Sequence, residues 1–257
     1  MQKRRFILAI DQGTTGTKIV IYDETSRIIS QSYQEITCYY PKVGWVEHNP
    51  QEIWKSCLVG IKEAIQKSRI NTNNISAIAI TNQRETVLIW DRLTGQSVGN
   101  AIVWQCRRTA SFCDELRRRG LGNFIKKKTG LLIDAYFSAT KIRWILDNLS
   151  EVRKKAEKGE IICGTIDSWL VWKLTGGKVH LTDYTNASRT MLFNIHQLAW
   201  DPELLELFNI PTLMLPSVRA SGEIYGYTAS HLPLNSGIPI AALLGDQQAA
   251  LFGQACF

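Results

Sequence analysis

Residues Ala9–Asp23 read AIDQGTTGTKIVIYD: two glycines, three threonines and a lysine set between apolar runs. Such a loop can grip phosphate or simply turn the chain, and the element after it decides which devices are open to it. A Walker loop has the spacing GxxxxGK[ST] and runs from a strand into a helix. Here the order is Gly13-Thr14-Thr15-Gly16-Thr17-Lys18, and Lys18–Asp23 (KIVIYD) is β-branched and aromatic, the composition of a strand. A dinucleotide fingerprint also requires a helix next, so phosphate held on a helix dipole is excluded. What remains is a hairpin whose tip offers backbone N–H groups as an anion nest and threonine hydroxyls as further donors. Asp11, at the end of the first strand, is a carboxylate able to hold magnesium or its waters. A plain β-hairpin turn accounts for the same residues, and the loop alone leaves both readings open.

Working outward, Phe6–Ile10 is a continuous apolar run, as in a buried strand. Asp23–Arg27 is a polar turn and Ile28–Ile36 a third extended segment, which makes a three-stranded meander. Asn49 suits a helix cap, Pro50 the first helical position and Glu52 the first turn. Ile53, Cys57, Ile61 and Ala64 then mark an apolar stripe at helical spacing, and Asn71–Asn74 is expected to end that helix. Strands are predicted at Ile75–Ile80 and Thr86–Trp90, with a turn at Leu93–Gly95 and a further extended run at Ala101–Gln105. Helices are predicted at Ser138–Leu149, Asp167–Leu174 and, behind Asp201, Pro202–Phe208. Ile238–Leu244 reads as a strand and Asp246–Gln254 as the start of a helix. A meander followed by alternation predicts an α/β layer with a mixed sheet.

The 257 residues suffice for one large domain or two small ones. No apolar run reaches the ~18 residues of a membrane helix. The start, MQKRRFILAIDQG, has a basic tip, but its apolar part stops at Ile10, too short for a secretion signal; a cytoplasmic protein is expected. Six cysteines without a CxxC pair and four histidines without HExxH argue for reduced thiols rather than zinc or disulfides. The net charge of +7 raises nucleic acid as a partner. The basic clusters Arg117–Arg119 and Lys126–Lys128 sit beside a helix end and a turn without an aromatic ladder, so a solvated basic face is expected and no nucleic acid. The sequence stops at Phe257 inside the last apparent helix without a stop signal, which is the expectation for one lobe of a larger protein.

Asp-x-Gly-Thr-Thr between two N-terminal strands resembles the first phosphate loop of the actin, hexokinase and heat-shock ATPase superfamily. Lobes of that superfamily are ribonuclease H-like α/β layers with a mixed central sheet flanked by helices. TNQRET (Thr81–Thr86), WQCRR (Trp104–Arg108), YFSATKIRWILDN (Tyr136–Asn148), TDYTNASRTMLFNI (Thr182–Ile195) and GDQQAALFGQ (Gly245–Gln254) together resemble the FGGY carbohydrate kinases. Within that family they resemble the members that phosphorylate glycerol, and the resemblance runs from Phe6 to Gln254. It implies ATP and Mg2+ as cofactors, held here by Asp11, Gly13, Thr14, Thr15, Gly16, Thr17 and Lys18, with Asp11 on the metal directly or through water. It implies glycerol as the acceptor, with Arg84 and Glu85 on its hydroxyls, Trp104 as an apolar wall, and Tyr136, Asp246 and Gln247 as further contacts. Asp246 becomes the general base for the attacking hydroxyl.

The residues allow blander readings. Arg84–Glu85 alone would be a solvated pair, Trp104 and Tyr136 core, and Asp246 an N-cap. Placement at strand ends in an open α/β sheet favours a site, and a polyol needs both polar groups and an apolar wall. Lys18 stands where the family often has arginine and loses the bidentate fork; Gly16 stands where serine is common and loses a hydroxyl. Ser230–Ile238 has no arginine where some members bind fructose bisphosphate, so that regulation is not expected, and His231 is the candidate for the phosphorylation that others undergo nearby. The resemblance assigns residues 1–257 to the N-terminal lobe. A second lobe with the adenine pocket is absent from this chain, which is expected to be inactive alone and to belong to a homo-oligomer at full length. The alternatives are a kinase of the same family for another polyol or sugar, against which NQRET and WQCRR speak, and a non-catalytic polyol-binding module.

Overall fold

The computed structural model describes residues 5–256; the basic tip at residues 1–4 and Phe257 lie outside the described residues. The chain opens with β1 (Phe6–Gln12), β2 (Gly16–Asp23) and β3 (Ile28–Glu35), the antiparallel meander predicted from the sequence. Short strands β4 (Cys38–Tyr39) and β5 (Glu47–His48) lead to α1 (Pro50–Ser68). The Asn49 side chain caps α1 by accepting from the Gln51 N–H, with Pro50 and Glu52 in the first turn. The helix stops before Asn71–Asn74, because Arg69 turns left-handed at φ 54° and donates to the Ile65 carbonyl. Asn71 instead caps a 3-10 turn at Thr72–Asn74.

β6 (Ile75–Asn82) and β7 (Val87–Asp91) follow, then β8 (Ala101–Ile102), so the extended run expected at Ala101–Gln105 is strand only in its first two residues and turns at Trp104 and Gln105. Next come α2 (Ala110–Arg118), α3 (Gly122–Thr129), α4 (Ser138–Asn148), α5 (Ser150–Glu157), β9 (Ile161–Thr165), α6 (Ile166–Leu174), β10 (Leu181–Asp183) and α7 (Tyr184–Ala187). The chain closes with β11 (Phe193–Asn194), β12 (Ala199–Trp200), α8 (Pro202–Phe208), β13 (Ser217–Arg219), β14 (Gly226–Tyr227), β15 (Pro239–Gly245) and α9 (Asp246–Gly253). Sequence reasoning missed β4, β5, α2, α3, α5, β9 to β14 and α7. Each carries few apolar residues or few residues at all: α5 buries only Val152 and Ala156, and IICGT is five residues long.

The main sheet has the order β14-β15-β6-β1-β2-β3. It is mixed, as expected, with β1–β6 and β6–β15 parallel and its other pairs antiparallel. Beside this central sheet, and not read from the sequence, a second, antiparallel sheet runs β4-β5-β8-β7-β9. Two apolar cores follow. One joins Leu8, Ile10, Ile19, Ile21, Ile78 and Ile80 of the main sheet to α1 and α6. The other gathers Val87 and Ile89 with residues of α2, α3, α4, α5 and α8. β1 is not buried on both faces, since Phe6, Leu8 and Ile10 point inward while Ile7 is 45% exposed.

Arg117–Arg119 fall at the end of α2, and Lys126–Lys128 fall in the last turn of α3 rather than beside it; cations there are favoured by the negative end of the helix dipole. Cys57, Cys106, Cys113 and Cys163 are free and buried, whereas Cys38 is half-buried and Cys256 exposed. Among the described residues no helix is long and apolar enough to cross a membrane.

Asp167, in the first turn of α6, is fully buried and accepts from the hydroxyls of Thr165 and Thr182. Lost hydration, reinforced by the charge of Asp183, pushes its carboxyl up to about 7. The folded chain therefore holds a proton that the unfolded chain releases near pH 4, and this group's contribution to stability falls as pH rises between those values. Wild type should lose unfolding free energy relative to Asp167→Asn between about pH 4 and about pH 7 in urea titrations. Parallel pH curves for the two proteins would show that Asp167 is not the group responsible.

Candidate active site

The three parallel strands of the main sheet end at one level. Gln12 of β1 lies opposite Asn82 of β6, and Asn82 lies opposite Gly245 of β15. The hairpin tip, the loop Gln83–Thr86 and Asp246 therefore emerge side by side at the carboxyl ends of the strands, where open α/β sheets collect ligands.

The hairpin tip presents fewer groups than its composition promised. The Gly13 N–H closes the turn onto the Gly16 carbonyl at 2.9 Å. The Thr17 hydroxyl faces inward and pairs with Ser56 of α1 at 2.7 Å. Gly16 lies against Tyr33, whose ring would be 2.5 Å from an added Cβ, so this packing has no room for the serine common there in the family resembled. The amides of Thr14 and Thr15 take no partner among the described residues, and Lys18 is exposed. Asp11 lies opposite Lys18 in the β1–β2 pair. Lost hydration and the charge of Asp246 raise its carboxyl, while Lys18 pulls it down.

Arg84 and Glu85 are not a solvated pair: they are 4% and 1% exposed. Arg84 Nη1 donates to Gln248 Oε1 at 3.1 Å, and Nε lies 3.3 Å from Asp246 Oδ1 without the alignment of a hydrogen bond. Glu85 sits at φ 63° and accepts at Oε1 from Arg189 Nε at 2.7 Å. Burial raises its carboxyl, opposed by that hydrogen bond and by the charges of Arg84, Arg189 and Lys141. Tyr136 and Trp104 meet edge-on at 5.5 Å, and the Arg189 guanidinium lies over Tyr136 and Phe137. Desolvation and the charge of Glu85 raise the Tyr136 phenol, which keeps it a neutral donor. Trp104 donates its indole N–H to the Thr14 hydroxyl at 2.9 Å and so ties the second sheet to the hairpin.

Gly245, not Asp246, caps α9; Asp246 is the first helical residue, half-exposed, and its Oδ1 accepts from the Gln247 N–H. Gln247 is exposed, and it is the next residue, Gln248, that reaches Arg84. The structure thus gathers Arg84, Glu85, Trp104, Tyr136 and Asp246 beside Asp11 and the hairpin tip. Sequence reasoning missed Arg189 and Gln83. Gln83 Nε2 reaches Gln12 Oε1 and the Gly13 carbonyl, both at 3.1 Å, so it joins the strand-end loop to the hairpin. Both residues lay inside stretches already singled out, Arg189 in TDYTNASRTMLFNI and Gln83 in TNQRET, but an amide or an arginine in a polar run shows no partner until the fold supplies one. No group of three or more His, Cys, Asp or Glu placed to hold a metal exists among the described residues. A cation here would take Asp11 or Asp246 and complete its shell from ligand and water.

A family model described as the N-terminal domain of the FGGY family of carbohydrate kinases matches residues 6–253. Glycerol kinase 2 of Thermotoga maritima is 58% identical over 253 residues, covering 98% of this chain and 51% of that protein. Glycerol kinase of Bacillus cytotoxicus is 54% identical over 252 residues, with 98% and 51% covered. The solved structure of a Plasmodium falciparum glycerol kinase with ADP superposes with a TM-score of 0.93 at 39% identity, covering 98% of this chain and 50% of that one. The chain spans about half the length of the curated relatives it matches.

The path of Arg84 sets a test of the site's packing. An added Cβ at Gly245 would lie 2.4 Å from Arg84 Cδ and 2.7 Å from Cγ, within a buried stem. Gly245→Ala should therefore cost about 1–3 kcal/mol in urea unfolding. Unchanged stability would mean that Arg84 does not run over Gly245 in solution.

Proposed function

The chain belongs to the FGGY family of carbohydrate kinases, and from that premise we propose that it is the polyol-binding half of a kinase that transfers the γ-phosphoryl group of ATP to glycerol. The observation that carries this reading is the convergence of a buried arginine, a buried glutamate and a half-exposed aspartate beside an aromatic wall, with Arg84 Nε 3.3 Å from Asp246 Oδ1. The glycerol kinases among the relatives support glycerol over a longer sugar. ATP as phosphoryl donor fits a cytoplasmic setting.

In the proposed reaction Arg84 donates to the acceptor hydroxyls through the Nε that lacks a hydrogen-bond partner in the free site. Glu85, held by Arg189 on one oxygen, accepts a hydrogen bond from a hydroxyl on the other. Tyr136 adds a neutral donor, and Trp104 packs on the C–H face. Asp246 receives the proton of the attacking hydroxyl as general base. Phosphoryl transfer passes through a loose transition state, so positioning and charge neutralisation carry most of the rate. The Thr14 and Thr15 amides and Lys18 face the phosphates from the hairpin. Mg2+ would neutralise phosphate charge. Asp11 is the residue to hold it, directly or through water, because a cation would offset both the burial and the like charge of Asp246 that raise its carboxyl. The rest of the nucleotide site and the closure that excludes water fall to the half of the relatives' length that this chain does not span.

In a protein of the relatives' full length containing this chain, Asp246→Asn should lower kcat ~10²–10⁴-fold in a coupled ATP assay while glycerol binding stays measurable. Retention of about a third of the activity would remove Asp246 from the base role. Arg84→Ala should act mainly on the KM for glycerol, and a preference of the wild type for a pentulose would overturn the substrate assignment. The 257-residue chain alone should bind glycerol in a calorimetric titration without turnover.

A further inference from the structure

Lys141, in the first turns of α4, is fully enclosed and ranks with Trp90 and Trp169 among the largest side chains with no solvent contact. No carboxylate forms an ion pair with it among the described residues. Burial pulls its ammonium down to about 7. A lone buried ammonium is expensive, and an apolar side chain of the same size would stabilise the core more cheaply. Its hydrogen bonds show where the compensation lies. Nζ donates to the backbone carbonyl of Glu85 at 3.2 Å and to that of Tyr136. Ser138 Oγ, from the same helix, donates to the same Glu85 carbonyl at 3.1 Å.

Both acceptors belong to residues that face the polyol in the proposed function. Glu85 also holds a left-handed backbone, φ 63°, which strains a residue with a side chain and persists only where its surroundings over-determine it. Glycine would remove the strain, but it would also remove the carboxylate. Two donors on one carbonyl fix the peptide plane after Glu85, and with it the direction in which the carboxylate leaves the chain towards Arg189. The second Lys141 bond fixes the backbone of Tyr136 from the same nitrogen, so the spacing between carboxylate and phenol is set at one point.

We propose that Lys141, assisted by Ser138, is a positioning residue that clamps the backbones of Glu85 and Tyr136 and thereby sets the geometry of hydroxyl recognition. This rests on the reading of the site as a glycerol site. The consequence differs from that of a core residue: releasing the clamp blurs the acceptor geometry and leaves the nucleotide side untouched. Displacements of about 1 Å in such a site cost up to ~10²-fold in rate or binding.

Lys141→Met keeps the length and removes the donors. In the full-length protein it should raise the KM for glycerol about tenfold or more, with the KM for ATP unchanged and the melting temperature equal to or above wild type. A folded Lys141→Met protein with a glycerol KM within about twofold of wild type would overturn the clamp. So would equal losses in both KM values accompanied by a lower melting temperature. Should Lys141→Met not fold, Ser138→Ala carries the test, with a rise of about two- to fivefold expected in the glycerol KM and no rise overturning the proposal. Amide hydrogen exchange on the 257-residue chain separates the two layers of inference. Faster exchange over residues 83–87 and 135–138 in the variant supports the clamp and unchanged exchange overturns it. A wild-type protein that neither binds nor phosphorylates glycerol overturns the substrate reading instead.

Discussion

Parallel pairing of β1, β6 and β15 is the constraint on which the site depends. It sets Gln12, Asn82 and Gly245 at one height, and each of the three loops that carry site residues leaves from that height. A one-residue slip of any strand would turn its buried set to the opposite face. It would also carry the attached loop ~3.3 Å along the sheet, more than the length of a hydrogen bond. Apolar burial resists the slip along the strands, through Leu8, Ile10, Ile78, Ile80 and Leu243. At the strand ends polar groups take over. The Gln83 N–H donates to the Gln12 carbonyl at 2.7 Å, Asn82 and Asn186 exchange amide hydrogen bonds, and the Gly245 N–H donates to Thr185 Oγ1 at 2.7 Å. Buried amides of this kind penalise every register in which they are not paired, so they specify the alignment more sharply than apolar contact does.

Above that level the pattern of satisfaction changes. Arg84 is buried with an Nε that has no aligned partner, Glu85 is buried in a left-handed conformation, and burial and the charge of Asp246 raise the Asp11 carboxyl. Strain, an unused donor and like charges at one strand-end level are the features on which the proposed site rests. Elsewhere two buried charges are paired: Arg108 lies over Trp45 and bonds Glu47, and Lys128 meets Asp201. Lys141 belongs with the site rather than with those pairs, since its bonds go to Glu85 and Tyr136.

Legibility from sequence followed periodicity. β1 to β3 and α1 were readable because their apolar residues repeat over seven or more positions and their ends carry recognisable turn and cap residues. The second sheet was not readable because three of its five strands are two residues long. Arg84, Glu85 and Asp246 were legible as a constellation only through distant motifs. Nothing local to NQRET signals burial, which depends on a glycine far along the chain, Gly245, leaving room for the arginine stem. One miss was avoidable. Thr17 is in phase with Ile19 and Ile21, all three are buried, and Lys18 between them is exposed. The period of two already turned the Thr17 hydroxyl inward, away from any phosphate at the tip.

The same logic of small polar links explains how the two sheets are held in a fixed relation at the site. Gln83 bonds Gln12 at the base of the hairpin, Thr86 donates to Gln83 Oε1, the Trp104 backbone N–H donates to Thr86 Oγ1, and the Trp104 indole N–H donates to Thr14 at the hairpin tip. These bonds close a ring that passes through both sheets. One side of the ring is the wall on which the proposed acceptor packs, and the other is the loop proposed to face the phosphates. A shift of either side breaks a hydrogen bond in the ring, so acceptor and donor surfaces cannot drift independently. For the proposed transfer, which depends on in-line approach more than on covalent chemistry, that relation is the quantity to hold constant, and this chain holds it through hydrogen bonds from Gln83, Thr86 and Trp104.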